Sequence, residues 1–174
     1  MATSARRQTG FTIVAENLFN FAIDRDFIKG VLEPLAVGEK EVNRITVEYE
    51  LQILRIVGVG WGISFFMEAH PCKQALAENY WAAIENFSQS ISQAAALTVD
   101  SDIDYFQTLK NRLDRYVGAM ERDPAGKDPV AMIGPEFARV CSHDDNVYVI
   151  MASNRVFSES LAAVKEYIDS VDIV

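Results

Sequence analysis

From Glu39 to Val57 the chain runs without a glycine or a proline, and from Ile56 to Met67 it carries no charge. This stretch constrains the fold more than any other, because it must be buried and it can be read two ways. Ile45, Val47, Tyr49, Leu51 and Ile53 alternate with Thr46, Glu48, Glu50 and Gln52, which is the period of a half-buried strand. Leu54, Ile56 and Val57 then break the alternation. No second segment offers a convincing partner strand, and a lone strand leaves its backbone N–H and C=O groups unpaired. The segment from Glu39 to His70 is therefore expected to be one long, largely buried helix. Ile56–Met67 is well short of the roughly 20 apolar residues that span a bilayer, so it is assigned to the core.

Apolar residues elsewhere recur at steps of three and four, the period of amphipathic helices. Phe11, Val14, Leu18 and Phe21 predict an N-terminal helix, with a short one over "DRDFIKGVL" before Pro34. Leu76, Tyr80, Ile84, Phe87 and Ile91 predict a helix over Lys73–Ala96. Ile103, Phe106, Leu109, Leu113, Tyr116 and Met120 predict another, started by a capping box of Ser101 and Asp104. Val147, Ile150, Met151, Phe157, Leu161, Val164 and Ile168 predict a last helix from Asp145 to Asp172, capped by Asp144 and Asp145. The connector 123–144 holds three prolines. Asp128-Pro129 suits an N-cap and first helical position, and a short helix is expected from Pro135 to Cys141. The sum is an all-α fold: a bundle of about four long helices with an N-terminal helical layer and a short connector helix. With 174 residues, 49% of them hydrophobic, the chain suits a single helical domain, 1–174, whose first ten residues are polar and expected to be flexible.

Charge narrows the partners. Sixteen basic against 25 acidic residues give a net charge of −9. An acidic surface repels phosphate backbones and anionic membranes, so neither nucleic acid nor a membrane is an expected partner; Arg6 and Arg7 are too small a basic spot to change that. Two cysteines make no disulfide framework, which suits a reducing, cytoplasmic setting. Met1–Gly10 lacks the apolar run of a signal peptide, and a short organelle-targeting segment is the minor alternative.

Motif chemistry is sparse. "GVGWG", Gly58 to Gly62, fails the dinucleotide fingerprint because Ile63 stands where its last glycine belongs, and no Lys-Ser or Lys-Thr follows for a P-loop. On a helix Gly58 and Gly62 share a face. The common reason for such glycines is close approach of a neighbouring helix; the sharper one is a groove for an apolar ligand walled by Trp61, Phe65 and Phe66. Neither histidine follows a glutamate by three residues, so the di-iron bundle pattern is missing, and there is no Gly-x-Ser-x-Gly elbow.

Every histidine and cysteine falls in two tripeptides, His70-Pro71-Cys72 and Cys141-Ser142-His143. Pro71 disfavours helical backbone at His70, so the first is a helix-to-helix turn. If the last helix starts at the end of the bundle where this turn lies, the tripeptides meet. His70, Cys72, Cys141 and His143 would then suit tetrahedral zinc. A small buried thiol, a capping histidine and a Cys–His nucleophile are the competing readings. With no catalytic constellation singled out, the leading expectation is a non-enzymatic helical protein acting through its surface, by self-association or by binding a protein partner. Tyr49, Tyr105, Tyr148 and Tyr167 are its candidate interface residues, unless they only close the core. The runner-up is a small-ligand or metal-binding domain at the sites above.

Overall fold

The computed structural model describes residues 7–33, 42–99, 103–122 and 129–174. The fold is all-α. Helices α1 (Phe11–Ile23), α2 (Asp26–Leu32), α3 (Arg44–Phe66), α4 (Lys73–Val99), α5 (Tyr105–Glu121), α6 (Pro129–Val140) and α7 (Val147–Ser170) are flanked by two three-residue strands, β1 (Arg7–Thr9) and β2 (Val171–Ile173).

The ambiguous segment is helix α3, and it is the axis of the bundle. Every residue from Glu50 to Gly60 is buried, about three consecutive turns. A helix with no polar face must be surrounded. Helices α1, α2, α4, α5 and α7 all pack on α3. Asn43 caps it, its side chain accepting from the Thr46 N–H at 3.2 Å. The expected start at Glu39 lies outside the described residues.

The glycines of α3 set how closely its neighbours approach. A methyl on Gly58 would stand 3.2 Å from the Phe157 ring of α7, and one on Gly62 would stand 3.1 Å from Val164. Residues 58 to 62 thus advance alongside 157 to 164, so α7 runs parallel to α3. Gly60, on another face, admits the Trp81 ring of α4, which a methyl there would overlap.

Several expected boundaries are corrected. Helix α6 starts at Pro129 and continues through Pro135, where a separate short helix was expected; Asp128 lies outside the described residues. The N-cap of α5 is Asp104, which accepts from the Gln107 N–H at 2.9 Å, and Ser101 lies outside the described residues. The N-cap of α7 is Asn146, accepting from the Val149 N–H at 3.0 Å, in place of Asp144 and Asp145. Helix α7 stops at Ser170 because Val171–Ile173 pair in parallel with Arg7–Thr9. Phe11 N–H donates to the Val174 carbonyl and Val174 N–H to that of Thr9. The segment expected to be flexible therefore contributes a strand at Arg7–Thr9, while residues 1–6 lie outside the described ones.

Gly60→Ala should destabilise the fold by about 1–3 kcal/mol, because the Trp81 ring has to move. Gly118→Ala in α5, with nothing within 4 Å of the new methyl, should instead stabilise by about 0.5 kcal/mol. Urea unfolding of both variants checks the pair; equal effects would contradict the packing account.

Candidate functional site

The two His/Cys tripeptides lie at opposite ends of α3. His143 accepts the Asn43 N–H through Nε2 at 3.3 Å, at the start of the helix. His70 and Cys72 follow its end, and the 23 residues between span roughly 34 Å. The expected meeting presumed that α7 starts at the end of the bundle where α3 ends. Helix α7 instead runs parallel to α3 and starts at the end where α3 starts. The four residues proposed for zinc are not brought together. Among the described residues no group of three or more His, Cys, Asp and Glu could hold a metal ion.

Each member has a local role. His70 Nδ1 accepts the Cys72 N–H at 3.1 Å, just before α4 begins. Cys72 is half-buried, its Sγ near the Ile173 carbonyl at 4.0 Å. Cys141 is buried. Desolvation, with the negative charge of Glu50 adding to it, pushes its thiol up to about 12.

The Gly58–Phe66 segment packs instead of opening. Phe157, Trp81 and Val164 occupy the space over Gly58, Gly60 and Gly62. Trp61 stacks on Phe65 with centroids 4.8 Å apart, and Phe66 meets Phe65 edge-on. None of these residues lines a cavity described here.

Two carboxylates that spacing did not single out are buried by pairing. Glu50 on α3 accepts from Arg112 Nε at 2.8 Å and from Nη2 at 2.7 Å, a bidentate clamp to α5. Glu136 on α6 accepts from Arg115, Arg122 and Arg139. Burial alone raises the Glu136 pKa; the hydrogen bonds and charges of Arg115 and Arg139 outweigh it and hold it below the usual 4.5. Tyr116 is buried with its hydroxyl unpartnered, and desolvation, followed by Glu50, raises its pKa. This seam fastens α5 to the axis and α6 to α5.

The open site lies where α1 turns into α2, against α3, α4 and α5. A groove of about 360 Å³ is lined by Ile23, Arg25, Ile45, Glu48, Tyr49, Gln52, Phe87, Ile91 and Tyr105. Its walls are aromatic and aliphatic: the Tyr105 ring stands edge-on to Tyr49 at 5.7 Å and to Phe87 at 6.3 Å. Arg25 and Glu48 pair at its rim. Gln52 is 8% exposed. Its Nε2 donates to the Ala22 carbonyl at 2.6 Å, which fixes the amide orientation. Its Oε1 has no partner, leaving one hydrogen-bond acceptor in the apolar lining. Desolvation first, then Glu50, raises the Tyr49 pKa; desolvation also raises that of Tyr105. Both hydroxyls stay neutral at physiological pH, and the lining holds no cysteine, serine or histidine to act as nucleophile or base. Sequence reasoning missed the groove. The available signal was Gln52, an amide inside a run that is apolar on both sides.

Two measurements test this assignment of roles. Glu136→Gln should cost about 1–3 kcal/mol at neutral pH. Because the folded pKa is lowered, the glutamate's contribution is complete above pH 4.5 and disappears as pH falls through the lower folded value. The difference between wild type and variant should therefore shrink on acidification; a constant difference would contradict the arginine clamp. In the native protein iodoacetamide should label Cys72 slowly and leave Cys141 unlabelled until denaturant is added, as peptide mapping would show. Comparison of the chain with family models, with curated proteins and with solved structures finds no match.

Proposed function

We propose that the protein is a non-enzymatic binding module that acts through its surface and seats apolar side chains of a partner protein in the groove beside Tyr49. The observation that carries this reading is the lining itself: aromatic and aliphatic walls, one unpartnered acceptor at Gln52, and an ion pair at the rim. An apolar centre with a polar edge is the usual layout of a recognition surface.

The surface around the groove supports the same reading. Ile45, at its edge, is 82% exposed. The hydrogen bond between Asn43 and His143 brings the start of α7 to this end of α3. There Val147, Tyr148 and Met151 are also exposed. Of the four tyrosines considered for an interface, Tyr49 and Tyr148 are exposed, whereas Tyr105 is buried in the groove wall. No described helix is long and apolar enough to cross a membrane. The net charge of −9 favours a protein partner with a neutral or basic rim over nucleic acid, and two free thiols fit a reducing, cytoplasmic setting. Self-association is the second reading, favoured by the exposure of Ile45, Val147 and Met151 at one end.

N-phenyl-1-naphthylamine, a neutral apolar dye with one N–H donor, reports on the groove. Its fluorescence should rise with wild type and fall to background with Ile91→Arg, which puts a charge in the wall. Sedimentation of wild type and Ile45→Glu separates the two occupants: a dimer lost in the variant means a second copy, and a monomer throughout means a different partner. No dye binding, or binding untouched by Ile91→Arg, would overturn the reading.

A further inference from the structure

Arg55 is a charged residue buried in the interior of the bundle. It stands midway along α3 and is 2% exposed. Its guanidinium lies over the Phe21 ring at 4.3 Å and the Phe27 ring at 4.9 Å. Nη1 donates to the Asp24 carbonyl at 3.0 Å, while Nε has no partner. Isolated buried charges are costly and are normally paired. Among the described residues Arg55 has no carboxylate in ion-pair contact. The two acids nearby are otherwise engaged. Asp24 Oδ1 accepts the Asp26 N–H at 3.0 Å, and Glu159 accepts from Arg155 at 2.8 Å.

A guanidinium stacked on phenylalanines and capping α1 is the simplest structural role, and it uses one donor of five. The Arg55 side chain also borders a cavity. A space of about 270 Å³ is lined by Phe21, Asp24, Phe27, Arg55, Glu159 and Ala163. A second, of about 210 Å³ and almost wholly apolar, shares Phe21 and Ala163 with it and extends along α1 and α7 past Leu18 to Tyr167. Asn17 donates to the Tyr167 hydroxyl at 2.6 Å at that far end. The two spaces are neighbours between α1 and α7, with a buried cation bordering one and a largely apolar lining in the other.

We propose that this hollow binds a small monocarboxylate with an apolar tail, its carboxylate at the Arg55 guanidinium and its tail between α1 and α7. Arginine presents planar paired donors that match a carboxylate, and charge-assisted hydrogen bonds are the stronger class. A single negative charge is preferred to a phosphate dianion because Asp24 and Glu159 also border the cavity. This site is separate from the groove beside Tyr49: the two share no lining residue.

Calorimetric titration of the intact chain with octanoate, octan-1-ol and octylammonium tests it. Octanoate should bind wild type, octan-1-ol should bind roughly tenfold or more weakly, and octylammonium should not bind. Arg55→Gln should reduce octanoate affinity by a similar factor. Since that variant also loses a cap on α1, Ala163→Phe provides the second test: it fills the hollow without touching the guanidinium and should abolish binding while the circular dichroism spectrum stays unchanged. Ile91→Arg, in the other groove, should leave octanoate affinity as it was. Failure of octanoate to bind wild type, equal binding of the alcohol, or undiminished binding to Ala163→Phe would each overturn the proposal.

Discussion

The bundle depends on one helix that has no side it can show to water. Through Glu50–Gly60 every side chain of α3 is buried, so α3 is stable only when the other helices enclose it. That requirement explains the glycines. At Gly58 and Gly62 the missing side chains let α7 approach along its length, and at Gly60 the missing side chain admits an indole from α4. The cost of glycine in a helix is offset by close packing, with Phe157 and Val164 filling the space over α3.

An apolar rod alone does not specify which helix lies on which side. The polar residues buried on α3 supply that choice. Glu50 takes Arg112 of α5; Gln52 takes the Ala22 carbonyl of α1; Arg55 takes the Asp24 carbonyl at the turn into α2. The Ile56 carbonyl accepts from the Tyr80 hydroxyl of α4 at 2.8 Å. Each of these neighbours is fixed in register by a bond that a shifted helix would leave unmade, and an unmade buried bond costs more than a made one contributes.

The class of the fold was legible because four segments repeat apolar residues at helical spacing, and because the one alternating segment had nothing to pair with. The strand-like alternation over Ile45–Ile53 is accounted for by those same polar residues, Glu50 and Gln52, which occupy interior positions and find partners there. The path of the chain was not legible. It turned on which end α7 starts from, and Pro135 suggested a break where the helix in fact continues. Because α7 starts beside the start of α3, the His/Cys tripeptides part, held at the two ends of a helix of 23 residues. The sites themselves were hidden for a related reason. Gln52 stood only as a polar member of the alternating pattern and Arg55 was not singled out; the enclosure of α3 is what makes them an acceptor and a cation lining hollows.

Gln52 and Arg55 also join those hollows mechanically. They are three residues apart on α3, and they hold carbonyls two residues apart, Ala22 and Asp24, at the end of α1. The turn so held lines both spaces: Ile23 and Arg25 face the groove beside Tyr49, whereas Asp24 and Phe27 face the cavity of Arg55. A group seated on either side therefore bears on the same four or five residues of backbone. Two occupants that each required a different placement of this turn would oppose one another, and two that required the same placement would assist one another, by an equal factor in each direction. The amide and the guanidinium thus fasten α1 on the axis through the same turn that lines both spaces.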